Sequence, residues 1–201
     1  KYSYRQKSNC YIHTKPTIVS IGHREIPNAK GVPGYIRIDT VHQGDMEGEN
    51  GIYHINAVDI TTQFEIVFAV PRINYEFMIP AIEMIIEAYP FKIFAFHSDN
   101  GSEYINKVIA EMLNRLLVRQ TKSRPRHSND NALVESKNGS VIRKHIGYGF
   151  IPQEKYALVN LFYEYLNEYL NYHRPCSFYT EVKLPKGKIG KIYRHEDYLT
   201  P

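Results

Sequence analysis

The chain has 201 residues, of which 43% are hydrophobic and 23% charged, with a formal net charge of +4. That apolar content belongs to a folded domain rather than a disordered segment, and the length suffices for one proper core. No apolar run approaches the ~20 residues a membrane span needs, and no leader peptide is visible at Lys1, which reads as the start of a fragment. Two cysteines, Cys10 and Cys176, make no disulfide framework, so a reducing compartment is expected.

Residues 1–33 carry Pro16, Pro27, Gly31 and Pro33 with little periodicity, and read as an arm or linker. Tyr35–Val41 alternates, with Ile36, Ile38 and Thr40 facing one way and Arg37 and Asp39 the other, which predicts a strand. Ile52–Val58 and Phe64–Val70 predict two more, joined by the tight Asp59–Gln63 connection into an antiparallel meander. Asn74 caps a helix expected to run to about Tyr89, with Pro80 inside it and Pro90 stopping it. Phe91–Phe96 is a near-continuous apolar run, expected as a strand buried on both faces. After the Asp99-Asn100-Gly101 turn, Ser102 caps a helix on which Ile105, Val108, Ile109, Met112, Leu113 and Leu116 share a stripe.

A short strand, Val118–Lys122, and a polar loop over 123–131 follow, the loop expected to be mobile without a ligand. A helix starting near Asn131 carries Glu135. A last helix, from about Gln153 to Tyr172, sets Leu158, Leu161, Phe162, Tyr165 and Tyr169 on one stripe. The tail 179–201 is basic and reads as a linker. Strands first, then alternating helices and strands, give an α/β plan with a mixed sheet. Right-handed crossovers place the fourth strand beside the first.

Charge is unevenly spread. Between Arg115 and Lys144 stand eight basic residues against two acidic ones, Asp130 and Glu135. Such a surplus beside an isolated carboxylate suits a phosphate backbone, although a solvated basic face gives the same composition.

Three acids stand out by position. Asp39 lies inside a strand, where Asp is depleted; Asp99 closes the fourth strand, at the carboxyl edge where open α/β sheets bind ligands; Glu135 sits early in a helix. Singly, each has an ordinary role: local hydrogen bonding, turn formation, helix-dipole pairing. Together they converge, because the first and fourth strands adjoin and the later helix returns to the same edge. Three such acids repel one another unless a cation neutralises them, and hard oxygen donors favour Mg²⁺ or Mn²⁺. Two ions ~4 Å apart can clamp the attacking and leaving oxygens of a phosphoryl displacement.

Fifty-nine residues separate Asp39 from Asp99, and thirty-five separate Asp99 from Glu135. With the flanks Ile38-Asp39-Thr40-Val41, His97-Ser98-Asp99-Asn100-Gly101-Ser102-Glu103-Tyr104 and Asn129-Asp130-Asn131-Ala132-Leu133-Val134-Glu135-Ser136-Lys137-Asn138-Gly139, this resembles the D,D(35)E signature of the retroviral integrase superfamily. Asn171-Tyr172-His173-Arg174-Pro175 resembles the end of the core in bacterial insertion-sequence transposases. The resemblance spans about 34–178, leaving 1–33 as arm or linker and 179–201 as basic linker.

The resemblance implies a ribonuclease H-like fold, a five-stranded mixed sheet of order 3-2-1-4-5 with helices on both faces. It implies a transposase or integrase, a polynucleotidyl transferase that cleaves DNA ends and joins them to a target with two Mg²⁺ or Mn²⁺ ions. Asp39 would bridge both ions, and Asp99 and Glu135 would hold one each. Lys122, Arg124, Arg126, Lys137, Asn138, Arg143 and Lys144 are the candidate DNA contacts, with ordinary surface charge as the alternative for Lys137 and Lys144. A homo-oligomer, dimer or higher, acting in the bacterial cytoplasm without membrane attachment is expected. Two other readings stand beside this one: a ribonuclease H-like or junction-resolving nuclease, and a domesticated transposase that binds DNA without cutting it. The 35-residue gap ending in Glu speaks against the first, and retention of all three acids against the second. A zinc site joining Cys10, His13, His173 and Cys176 would need the two ends of the chain to meet.

Overall fold

The computed structural model describes residues 22–25, 28–99, 107–124 and 127–201. Five strands form the centre: β1 (Tyr35–His42), β2 (Tyr53–Asp59), β3 (Glu65–Val70), β4 (Ala95–Ser98) and β5 (Arg119–Lys122). β1, β2 and β3 pair antiparallel in sequence, whereas β4 and then β5 add in parallel to the other side of β1. The order is therefore 3-2-1-4-5, as expected, extended by one short edge strand, His23–Arg24, parallel to β5. This edge strand lies within the segment expected as an arm.

Alternation along the strands builds two cores, one on each face. Ile36, Ile38, Ile55, Ala57 and Ile66 point to the side covered by α1 (Tyr75–Ala88) and α2 (Lys107–Arg115). Val41, Val67 and Ala69 point to the other side, where Val141, Ile142 and α4 (Tyr156–Tyr172) pack. Asn74 caps α1 by accepting from the Phe77 N–H. The apolar run before β4 pairs later than its composition predicts, at Ala95–Ser98 and not Phe91–Phe96. Gly34 fixes that entry: its carbonyl accepts from the Phe94 and Ala95 N–H groups, and a Cβ on it would collide with the Lys92 carbonyl. Ser102 and Ile105, expected at the start of α2, lie outside the described residues.

Asp59 ties the meander together. Its carboxylate, fully buried, accepts from the N–H groups of Gly34, Tyr35, Thr61 and Thr62 and from the Thr62 hydroxyl. The outer edge of β3 is closed by α4 in an unusual way. Asn160, Asn167 and Asn171 each accept from one backbone N–H of β3 and donate to the carbonyl of the same residue, at Ala69, Val67 and Glu65 respectively. Three side-chain amides thus replace a neighbouring strand and leave that stretch of edge no free pairing groups.

This arrangement rotates α4 from its expected setting. Val159, Tyr163, Leu166 and Leu170 are buried, while Leu158, Leu161, Phe162, Tyr165 and Tyr169 are exposed. The helix is apolar around most of its circumference, so periodicity alone does not select the buried face. Tyr163 donates to His54 Nδ1, and His54 Nε2 donates to Gln43 Oε1. Burial pushes the imidazole down to about 4 and keeps it neutral in this role.

The tail is a hairpin and not a bare linker. β6 (Thr180–Lys183) pairs antiparallel with β7 (Ile189–Ile192), and Tyr198–Leu199 returns to pair with Cys176–Ser177. No helix among the described residues is long and apolar enough to cross a membrane.

Candidate active site

Asp39 lies at the middle of β1, just past its parallel pairing with β4, on the face opposite Ile36 and Ile38. The parallel register places Ile38 against Ser98, so Asp99, the next residue after β4, emerges beside Asp39 at the same sheet edge. Glu135 lies on α3 (Ala132–Lys137), whose Val134 and Lys137 are buried against the sheet while Glu135 is exposed. Three elements distant in sequence thus bring the acids to one end of the sheet.

The Asp39 carboxyl is raised to about 6. Burial is the main cause; the charges of Asp99 and Glu135 push the same way, while hydrogen bonds from the Thr40 N–H and Asn138 pull against it. Asn138 Nδ2 donates to Asp39 Oδ2 at 2.7 Å. Because a carboxylate only accepts, the Asn138 amide is oriented, and its oxygen faces Asn56 Nδ2 at 2.9 Å. Asn56 is fully buried on β2, directly opposite Asp39 in the register. Asp39 is therefore held by a second and a third side chain behind it.

Among the described residues no three His, Cys, Asp or Glu side chains already form a cluster able to grip a metal ion. The donor chemistry nonetheless fits a hard divalent cation: the convergent groups are carboxylates, and Asp39 is half-buried near two like charges, where a cation would lower its pKa.

Lys137 and Asn138 mark a change of helical pitch. Asn138–Arg143 is a π-helical turn directly following α3. Its wider spacing takes Lys137 and Lys144, seven residues apart, off the common face that an α-helix would give them: Lys137 is buried and Lys144 exposed. Lys137 Nζ lies 3.4 Å from Glu65 Oε2 and donates to Cys176 Sγ at 3.2 Å.

Other basic side chains expected to face DNA are also engaged within the protein. Arg143 donates to Gln43 Oε1 and to the carbonyls of His42 and Gly147. Arg124 clasps Asp130 with Nε and Nη2, at 3.0 and 2.9 Å, which holds that carboxyl down at about 2. Lys122 is buried in β5. The clasp, with the Ser123 N–H on the Ser98 carbonyl, ties down both described ends of the loop expected to be mobile. Arg126 lies outside the described residues, as do Cys10 and His13; Cys176 is buried beside Lys137.

The sequence reading missed Asn56 and Glu65. Their signal was available: an Asn inside Ile55-Asn56-Ala57 and a Glu inside Phe64-Glu65-Ile66 are polar groups in otherwise apolar strands, and such groups are retained only where they find partners.

Comparisons with known proteins agree with this fold. Residues 29–128 match the integrase core domain family. A curated relative, the uncharacterized protein y4rM of Sinorhizobium fredii (strain NBRC 101917 / NGR234), is 27% identical over 164 residues, covering 81% of this chain and 47% of its own length. The chain thus spans about half of that relative. Among solved structures, the catalytic core domain of BIV integrase superposes with a TM-score of 0.52 at 19% identity, covering 69% of this chain and 84% of that one. The HTLV-2 integrase catalytic core domain in complex with magnesium gives 0.51 at 17%, covering 77% and 90%. The simian T-cell lymphotropic virus intasome chain gives 0.53 at 17%, covering 79% and 54%. Residues 29–128 are thus similar to the integrase core domain family, and the strand order 3-2-1-4-5 gives the chain the ribonuclease H-like fold of these catalytic cores.

Proposed function

We propose that this chain is the catalytic core of a bacterial DNA transposase that cleaves the ends of a mobile element and joins them to target DNA. One observation carries the reading: the half-buried Asp39 carboxyl stands at the sheet edge where Asp99 and Glu135 add like charge, in a chain similar to the integrase core domain family over residues 29–128. The bacterial origin of the curated relative supports action in a bacterial cytoplasm.

Asp39, Asp99 and Glu135 would hold Mg²⁺ or Mn²⁺, which when bound supplies neutralisation of charge on the attacking and leaving oxygens. Asn138, itself held by Asn56, keeps one Asp39 oxygen turned into the site. In the first reaction the oxygen of water attacks a phosphodiester at the element end, the bond to the 3′ oxygen breaks, and a 3′-hydroxyl is released. In the second, that hydroxyl attacks a target phosphodiester, forming one bond as another breaks. Neither reaction requires a covalent bond to the protein. Oligomerisation is part of the proposal, since α4 exposes Leu158, Leu161, Phe162, Tyr165 and Tyr169 along one side.

The test is to incubate the full-length protein with labelled duplexes bearing the ends of the DNA element that encodes it, with Mg²⁺ or Mn²⁺. The proposal expects nicking at the 3′ ends and insertion into a second duplex. Absence of both with either metal overturns it.

A further inference from the structure

We propose that the C-terminal hairpin and α3 enclose a binding groove for a single, unpaired strand of DNA beside the acidic residues. The proposal rests on the DNA-processing reading above and assigns it a second contact surface, separate from the basic residues of the 115–144 segment other than Lys137.

The groove has a volume of about 1360 Å³ and lies between α3, the start of β1 and the β6–β7 hairpin. That exceeds the ~300–1,000 Å³ of an ordinary small-molecule pocket and suits a polymer. It opens next to the catalytic edge: Arg37 lies two residues before Asp39 on the same face of β1, and Leu133 and Ser136, flanking Glu135 on α3, line it. Five of its lining residues are Lys or Arg and one, Glu181, is acidic.

Two of those cations each have one nitrogen without a hydrogen-bond acceptor among the described residues. Arg37 Nε and Arg174 Nη1 are shut off from solvent without a hydrogen-bond partner. Burial lowers the Arg37 pKa, so its charge is held at a cost. Both side chains are half-buried and line the groove, and a phosphate there brings acceptors together with the opposite charge to the guanidinium nitrogens that face it.

The far wall is aromatic. Tyr179 and Tyr193 line the groove with ring centroids 6.1 Å apart, and each remains about half exposed, at 45% and 55%. Lys191 Nζ sits 3.7 Å from the Tyr179 ring centroid, holding a charge on that wall. Exposed rings beside cations are the recognition chemistry of unpaired nucleotides, because in a duplex the base faces are already stacked on one another. A strand peeled from a DNA end could thus run from the acidic edge into the groove, its phosphates on Arg37 and Arg174 and its bases on the tyrosines.

The experiment measures binding of a fluorescein-labelled single-stranded oligonucleotide and of the corresponding duplex to the full chain, across a salt series. The proteins are wild type, Tyr193→Ala and Lys191→Ala, with melting temperature followed for each. Tyr193→Ala is expected to weaken single-strand binding about tenfold with the salt slope unchanged. Lys191→Ala is expected to reduce that slope by about 0.7. Duplex affinity should stay within about twofold for both. Unchanged single-strand binding by stably folded variants overturns the groove, as does an equal loss on duplex. Displacement of the strand by polyglutamate of matched charge as readily as by unlabelled strand would assign the groove to acidic peptide and overturn the proposal too. Groove-dependent strand binding without any DNA cleavage by wild type would sink the transposase reading alone; cleavage with groove-independent binding would sink the groove alone.

Discussion

Asn138 donates a 2.7 Å hydrogen bond to Asp39 and accepts one of 2.9 Å from Asn56, so the Asp39 carboxylate and a buried amide on the neighbouring strand are coupled through one side chain. Removing the donor should raise the Asp39 pKa beyond its present value of about 6. Asp39 must be ionised to hold a cation, and a bound cation lowers its pKa, so wild-type cleavage should rise with pH through a value below the metal-free one of about 6. In Asn138→Ala that rise should move to higher pH, and the rate at neutral pH should fall roughly tenfold or more, since a hydrogen bond to a charged group is worth about 1.5–3 kcal/mol. A pH–rate profile with an unmoved inflection would argue against this positioning role.

Asp59 is the structural counterpart to Asp39. Its five accepted hydrogen bonds hold the β2–β3 connection and the entry to β1. Asp59→Asn turns an amide group toward backbone donors, and is expected to cost about 2–4 kcal/mol. For a chain of this size that is roughly 5–15 °C in melting temperature. A calorimetric shift of less than about 2 °C would contradict the assignment.

The Arg124–Asp130 clasp makes an acid-dependent contribution to stability. The folded Asp130 carboxyl is held at about 2, below its ordinary value of 3.8. Its stabilisation is therefore complete above pH ~5 and is lost as pH falls from ~4 through ~2. Arg124 is about a third exposed, at 33%, so solvent screening reduces the contribution. Denaturant melts of wild type and Asp130→Asn should converge as pH falls toward 2. A constant difference from pH 7 to 2 would show that the clasp is not electrostatic.

The exposed side of α4 should mediate self-association. Leu161 and Tyr165 are 51% and 69% exposed on that side. Leu161→Asp and Tyr165→Asp should shift sedimentation toward the 23.5 kDa monomer without lowering the melting temperature. A wild type that sediments as a monomer at tens of micromolar contradicts it.

Much of this was legible in the sequence because it depends on period and spacing. Alternation at Ile36, Ile38, Arg37 and Asp39 set the faces of β1, and the crossover rule set β4 beside it. The orientation of α4 was not legible, because Leu158 and Val159 are equally apolar neighbours. What chooses between their faces is the trio Asn160, Asn167 and Asn171 on the β3 edge, a tertiary contact that no local pattern contains. The basic segment misled for a related reason: composition counts Lys137 and Arg143 as surface charge, but the π-turn and the partners Glu65 and Gln43 draw them inward.

The most direct test of the central claim is Asp99→Asn in the end-cleavage and strand-joining assays with Mg²⁺ or Mn²⁺. Asn is nearly isosteric with Asp, so packing should hardly change, while a metal loses a charged ligand. The expected loss is ~10²–10³-fold or more in both reactions, with DNA binding retained because it rests on basic contacts to phosphates. The melting temperature should match wild type. If Asp99 only forms the turn after β4, the variant will instead be slightly less stable and nearly fully active, and substantial cleavage at wild-type stability would contradict the catalytic role given to it here.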